Sequence, residues 1–346
     1  MCAFTPSATE IIVDHFGDAR DRAVSLFGSI FSIGAMIGPI FGGLFVSYWT
    51  WRGIFLVNVP IGLAVVVLAL CYVPRDRSRL GGSPPRMDAT GMLLLGAGLL
   101  SGMLAITDLA ERNVQVWAPA FAVPLAIAIV ALWMFFRHIN RSAYPFIAPR
   151  LISGSSFGTV NLINGLYGGV TSGVVALVPL YASYRYDISA LNSATLLIAQ
   201  GAAAIMLSTA GAFALRRTGY RGPLYVGAAI IATGMLLLAL SPVAGIPPYA
   251  WLAGSAFLIG MGRGANNPAS RNAGLQLAPE HASTLAALRT MCLAIGTIIT
   301  ISIDTAILAN SHDPGRTQAW LFAAMAVLFV AALPLIARVP EHRGSW

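Results

Sequence analysis

The chain has 346 residues, of which 57% are hydrophobic and 10% are charged. Soluble domains average roughly 45–50% apolar and about 25% charged residues, so this composition excludes an ordinary soluble globular protein and indicates a membrane protein. The formal net charge is +8, and all 21 basic residues are arginines. They lie singly or in small groups between apolar runs, without a basic stripe, which argues against nucleic-acid binding.

Ten apolar runs are each long enough to cross a membrane as a helix, because a hydrocarbon core of about 30 Å needs about 20 helical residues. In chain order they are 24–46, 54–73, 89–107, 117–136, 157–181, 191–215, 223–243, 249–268, 284–308 and 318–337. The runs are continuous rather than alternating, which argues against membrane-spanning strands. We therefore expect an all-α, polytopic membrane helix bundle with about ten complete spans and a partial N-terminal one.

Residues 1–13 precede the first run and would measure only about 20 Å as a helix, too short to cross the membrane core alone. Glu10 lies in this stub and is a candidate for facing an internal cavity. We expect Met1 to be an internal methionine of a longer reading frame, or the gene to be truncated.

The arginines are divided unequally between the two alternating sets of loops and helix ends. One set holds only Arg52, Arg112, Arg185 and Arg316, and the other holds the remaining 17 of the 21. Arginine-rich loops stay in the cytoplasm, so the larger set, which includes the C-terminal tail, is placed inside. We expect a multi-pass protein of the cell inner membrane, in contact with the lipid bilayer, with a cytoplasmic C-terminus.

The first complete run contains the segment GAMIGPIFGG, in which Gly34, Gly38 and Gly42 recur every four residues beside Pro39 and Gly43. Glycines at this spacing form a flat helix face that lets a neighbouring backbone approach closely. The proline removes one helix hydrogen bond and permits bending. Generic helix packing is the alternative interpretation of this segment.

The next segment, WTWRGIFLVNVPIG, places Trp51 and Arg52 just ahead of Asn58 and Pro60. Together with the glycine segment, it resembles the fourteen-span drug/proton antiporter branch of the major facilitator superfamily. The glycine segment is similar to that family's antiporter motif on span five, and this segment is similar to the start of span six. The resemblance is strongest over about residues 6–62 and covers the rest of the chain as a pattern of spans.

The resemblance implies three regions. Residues 1–73 would be the end of span four with spans five and six, 74–156 the cytoplasmic linker segments with two central spans, and 157–346 a six-span C-terminal bundle with a short cytoplasmic tail. The first three and a half spans would be absent, along with charged positions that the family associates with proton coupling and gating. Thr195 and Gln200 also stand where the family usually has glycine and proline.

The resemblance further implies export of small amphiphilic or drug-like compounds by alternating access, with protons as the coupling ion. A selective metabolite or solute exporter of the same fold and a truncated, transport-incompetent fragment both stay open as alternatives. GMGRG at 260–264 lies inside an apolar run without a preceding strand, and we interpret its glycines as helix-packing residues rather than a phosphate loop. We expect no enzyme activity, cofactor or metal.

Ionisable residues at membrane depth are costly and by default indicate a site. Asp304 lies in the run 284–308, with Thr300 and Thr297 four and seven residues before it on the same helix face. We interpret Asp304 as a protonatable or cation-binding carboxylate along the transport pathway. The alternative is a carboxylate hydrated at the outer membrane interface.

Two further groups are pathway candidates. Arg263 and Arg289 lie within or near expected cytoplasmic helix ends, where snorkelling to the interface is the alternative explanation. Asn161, Asn164 and Tyr167 lie in the cytoplasmic half of the run 157–181 and could contact varied substrates or form interhelical hydrogen bonds. Gln200, Asn266 and Asn267 are weaker candidates of the same kind.

Overall fold

The computed structural model describes residues 49–72, 88–109, 118–142, 144–278 and 281–341, with single residues and pairs between 11 and 45. Within these ranges every regular element is a helix. Seven of the helical segments are long and apolar enough to cross a membrane. The prediction of an all-α, polytopic membrane bundle is therefore confirmed.

Three helices precede the C-terminal part of the chain. They are α1 (Trp51–Tyr72), α2 (Ala89–Leu109) and α3 (Pro119–Ile139). Helices α2 and α3 pack along each other as a hairpin, and α2 also contacts the α10 helix defined below. Many apolar side chains here face outwards, with Leu70 79% exposed and Leu93 73% exposed. This outward apolar surface is what helices surrounded by lipid require.

The C-terminal part begins with the short α4 and a span made of three successive helical segments. The bounds are α4 (Pro149–Ser153), α5 (Ser155–Ile163), the π segment (Asn164–Val170) and α6 (Thr171–Tyr186). The remaining helices are α7 (Ala190–Thr218), α8 (Arg221–Ala239), α9 (Pro248–Leu277), α10 (Ala282–Ala309), α11 (Pro314–Ala331) and α12 (Leu333–Ile336).

Nine of the ten expected runs coincide with helices, and the run 24–46 lies largely outside the described residues. The largest difference concerns α9, which continues to Leu277, well beyond the expected end at 268. Arg263 and Arg271 lower the local hydropathy. Because the expected end at 268 was placed by hydropathy, it fell too early. Helix hydrogen bonds do not depend on hydropathy, so the helix continues through these polar residues.

Glycines allow α9 to pack closely against two neighbours. A Cβ at Gly264 would lie 2.6 Å from the carbonyl oxygen of Ala204 on α7, and one at Gly262 would lie 2.5 Å from that of Gly227 on α8. No side chain fits at such distances. The interpretation of GMGRG as a helix-packing segment is confirmed, and Arg263 projects from between these two packed faces.

Aromatic side chains fill the core between α6, α8 and α11. Tyr181 and Phe322 are fully buried and meet edge to face, with ring centres 5.1 Å apart. The Tyr181 hydroxyl donates a 2.7 Å hydrogen bond to the carbonyl oxygen of Leu238. The buried phenol thus keeps a partner while its ring packs, so α6, α8 and α11 are held together at this level.

Candidate functional site

A cavity of about 240 Å³ lies among the π segment, α8, α9 and α10. We call it the arginine cavity, from the residues on its polar wall. The polar wall contains Arg263, Asn267, Ser270, Arg271, Arg289 and Thr290. The apolar side includes Ile163, Leu224, Ile231 and Leu293. Small-molecule sites usually occupy about 300–1,000 Å³, so this volume suits a small ligand or part of a larger one.

One face of α9 supplies most of the polar wall. Arg263, Asn267 and Ser270 are spaced as neighbours on a single helix face, at i, i+4 and i+7. Arg263 lies halfway along the 30-residue helix, about 22 Å from either end at 1.5 Å per residue. The expected position near a helix end is therefore wrong for Arg263, because α9 continues to Leu277.

The three arginines of the cavity differ in their partners. Arg289 donates from Nη2 to Oδ1 of Asn267 at 2.6 Å, whereas its Nε has no hydrogen-bond partner among the described residues. The Arg271 guanidinium lies over the ring of Phe27, 5.5 Å from its centre. Arg271 and Arg263 are close enough to Arg289 for their positive charges to act on it. The cavity thus concentrates positive charge.

Sequence reasoning missed Arg271, Ser270 and Thr290 as cavity residues. The sequence places Arg271 between two apolar runs, in the cytoplasmic set of loops and helix ends, but it lies inside α9 and is 7% exposed. The polar residues from 263 to 271 follow the period of a helix face, and this pattern was the available signal. Thr290 follows Arg289 directly on α10, and no periodic pattern of polar residues in the sequence pointed to it.

The π segment brings Tyr167 to the arginine cavity, where its hydroxyl donates to the carbonyl oxygen of Phe329 at 3.1 Å. Asn161 and Asn164 line a smaller adjoining pocket of about 20 Å³, enough for a water molecule. The side-chain amide of Asn161 donates to the carbonyl oxygen of Leu151 at 3.0 Å. Asn161 is thus engaged in holding α4, whereas Tyr167 faces the larger space.

The four-residue glycine spacing in this span serves a close helix crossing. A Cβ at Gly169 would lie 2.7 Å from the Cα of Gly296 on α10, and one at Gly173 would lie 2.6 Å from the Cβ of Thr300. The Thr297 hydroxyl donates to the carbonyl oxygen of Gly169 at 3.1 Å. Thr297 and Thr300 therefore lie between helices rather than on the wall of the arginine cavity.

Asp304 lies one turn further along the same face of α10. It is 0% exposed, and neither carboxylate oxygen has a hydrogen-bond partner among the residues that the structure describes. This burial favours an enclosed carboxylate over one hydrated at the outer interface, and the role of Asp304 stays a prediction. Asp304 does not line the arginine cavity either. Among the described residues, nothing compensates this buried carboxylate.

The motif residues near the start of the chain are only partly described. Pro39, Gly43 and Glu10 lie outside the described residues. At Gly34, Gly38 and Gly42, no described atom lies within 4 Å of an ideal Cβ, so the close packing expected of these glycines stays a prediction.

In the span-six entry motif, Trp51 begins α1. Arg52, Asn58 and Pro60 follow on the same helix and are exposed.

Two curated relatives align with most of the chain. The Multidrug resistance protein B homolog of Mycobacterium tuberculosis (strain ATCC 25618 / H37Rv) is 26% identical over 284 residues, which are 80% of this chain and 51% of that protein. The Multidrug transporter protein MdtP of Bacillus subtilis (strain 168) is 25% identical over 239 residues, 67% of this chain and 42% of that protein. The chain therefore spans about half the length of the curated relatives it matches.

A family model extends the likeness beyond these two proteins. The model of the Major Facilitator Superfamily matches residues 1–301, which include α1 to α9 and most of α10. Its match agrees with a helical, multi-pass membrane fold and with an internal cavity between helices. The chain belongs to the Major Facilitator Superfamily.

Proposed function

We propose that the chain exports small amphiphilic or drug-like compounds across a membrane by alternating access. The observation that carries the proposal is the arginine cavity, which combines an apolar wall with a polar one inside the helix bundle. Transporters of this kind bind their cargo near the membrane midplane, and Arg263 lies halfway along α9. The names of the two relatives, multidrug resistance protein and multidrug transporter, support the same substrate class.

We further propose proton antiport, with Asp304 as the coupling residue. An ionised carboxylate that is buried without donors or cations is costly. Such a group either carries a proton or gains water or a donor when the surrounding helices move. Alternating access supplies that motion, so proton uptake and release at Asp304 can follow the change of access.

Efflux from proteoliposomes tests the transport proposal. The 346-residue chain is reconstituted, loaded with fluorescent amphiphiles of differing charge, and followed with and without an imposed pH gradient. We expect substrate-dependent efflux that the gradient accelerates, and the exposed-arginine variant Arg316→Gln should behave like the wild type. Efflux of a single metabolite alone would favour the selective exporter, and no efflux of any compound would contradict the proposal.

We also propose an inner-membrane location with a cytoplasmic C-terminus, supported by the unequal arginine distribution. Reporter fusions at residue 346 and within 309–317 test this orientation. The first should report a cytoplasmic position and the second an external one, and the reverse result would contradict it.

A further inference from the structure

The arginine cavity holds more positive charge than the described residues around it balance. Arg263 makes no hydrogen bond or ion pair within the part of the chain that the structure describes. Arg289 is held by Asn267 through one nitrogen and keeps an unpartnered Nε. A guanidinium carries five N–H donors in a planar fork, so both side chains keep free donors at the cavity.

Charged groups in the middle of a membrane protein are expensive unless something opposite in charge or strongly polar compensates them. No acidic side chain is among the described residues that line the cavity. The Arg271 guanidinium lies against the ring of Phe27. Within the described part of the chain, compensation of these charges is therefore left to water or to a ligand that carries negative charge.

The apolar wall of the cavity limits which kinds of anion the cavity can bind. Leu224 and Ile231 on α8 and Leu293 on α10 line the same space as the arginines. A fully hydrophilic anion would leave this wall without a partner, whereas an amphiphile satisfies both walls at once. An amphiphilic cation would bring its charge among three arginines and be repelled.

We propose that the arginine cavity binds an amphiphile through a single anionic oxygen-bearing group held between Arg263 and Arg289, with its apolar body against α8 and α10. Carboxylates, phosphates and sulfonates all match the planar donor fork of arginine. This inference rests on the proposed function, since it assigns a chemical class to the exported compound. The same chemistry is available from a lipid head group and from a free amphiphile.

Equilibrium binding tests the inference without requiring transport. The full chain in phosphatidylcholine nanodiscs is titrated with a dansyl-labelled undecanoate and with its uncharged primary amide, and dansyl fluorescence is recorded. We expect the carboxylate to bind at least about tenfold more tightly than the amide, because a charge-assisted pair is lost in the amide. Equal affinity for the two probes would overturn the inference, whatever the variants do.

Variants then show which arginines cause the preference for the carboxylate probe over the amide probe. Arg263→Gln and Arg289→Gln should each reduce the preference for the carboxylate by about tenfold, Arg263→Lys should retain part of it, and the control Arg316→Gln should retain all of it. Thermal unfolding of each variant shows whether it is folded. If the folded glutamine variants kept the full preference, the anion would not be held by these arginines and the inference would fail.

A second nanodisc composition identifies the source of the anion. If anionic phosphatidylglycerol displaces the probe from the wild type, the lipid head group is the ligand, and unchanged affinity indicates a free amphiphilic anion. Both results support an anion site. Efflux of the uncharged amide without anion preference would overturn this inference and leave export intact, whereas anion binding without any efflux would contradict the export proposal alone.

Discussion

Helix α10 carries two ionisable side chains in opposite surroundings. Arg289 lines an open cavity and is bonded to Asn267, whereas Asp304 is fully buried and has no described partner. Fifteen residues separate them, about 22 Å along the helix. The arginine cavity can admit water or a ligand to Arg289, but it does not extend to Asp304. One helix thus carries one charged group at a cavity and another that is enclosed by described residues.

Neighbouring residue sizes explain the difference. Between Arg289 and Asp304, α10 comes close to the π segment, where Gly169 meets Gly296, and to α6, where Gly173 meets Thr300 one turn before Asp304. At Arg289, the residues across the arginine cavity include Tyr167 and the polar face of α9. Glycines therefore accompany the close contacts of α10, whereas polar side chains line the open space at Arg289.

Disrupting the close crossing of the π segment and α10 should change the stability of the fold more than the other substitutions below. Gly169→Leu places a side chain where even a Cβ would lie 2.7 Å from the Gly296 backbone, so we expect destabilisation of about 3 kcal/mol or more. Gly254→Leu is the matched control, since a Cβ there meets no described atom within 4 Å. The midpoint of thermal unfolding in detergent measures both. A Gly169→Leu variant as stable as the control would show that the crossing is loose.

Replacing Asp304, whose carboxylate has no described partner, should change stability by an intermediate amount and should increase it. Asp304→Leu removes two buried oxygens without described partners and fills similar space, so we expect stabilisation of about 1–3 kcal/mol. Asp304→Asn keeps a polar group and should gain less. The same unfolding measurement applies, and a large loss of stability in Asp304→Leu would reveal a structural partner for this carboxylate.

The Asp88 carboxylate has hydrogen-bond partners, and replacing it should change stability least of the three. It caps α2 by accepting from the Gly91 amide at 2.8 Å, and it also accepts from His138 Nε2 at 2.8 Å and from the Phe146 amide at 3.1 Å. The Gly91 hydrogen bond, followed by those of His138 and Phe146, holds the pKa of Asp88 below its ordinary value, although burial acts the other way. We expect Asp88→Ala to cost about 1 kcal/mol at neutral pH.

The pH dependence of that cost follows from the direction of the shift. A lowered pKa stabilises the fold above the unfolded value of 3.8, and this contribution is lost as the pH falls through the folded value. The difference in unfolding midpoint between the wild type and Asp88→Ala should therefore narrow below about pH 4. A difference that stays constant down to strongly acidic pH would mean that the charge of Asp88 does not contribute.

Much of the fold could be predicted from the sequence, because apolar runs of membrane length leave few alternatives to helices. The end of α9 could not be placed from hydropathy, since Arg263 and Arg271 interrupt the apolar run without interrupting the helix. The glycines at 260–264 were correctly interpreted as packing residues, but the sequence did not show which helix Gly169 and Gly173 contact.

The candidate site was less predictable because it is built from residues far apart in the chain. Arg263 and Arg289 were recognised individually from their positions in apolar runs, whereas their convergence with Arg271 depends on how α9 and α10 pack. Asp304 was recognised by its charge, but its complete burial is visible only in the packed structure. The chemistry of a side chain follows from its identity in the sequence. Its burial depends on residues that are distant in the chain and meet only in the fold.

In the proposed mechanism, binding and coupling are separated along α10, with the substrate held near Arg263 and Arg289 and the proton carried by Asp304. Efflux kinetics in proteoliposomes, with and without a pH gradient, test it most directly on the fastest-transported amphiphile. We expect Arg263→Gln to raise KM by about tenfold and keep the acceleration by the gradient, whereas Asp304→Asn should lose that acceleration with little change in KM. Asp108→Asn, at the end of α2, serves as the carboxylate control. The same kinetic change in both variants, or full acceleration in Asp304→Asn, would contradict the account.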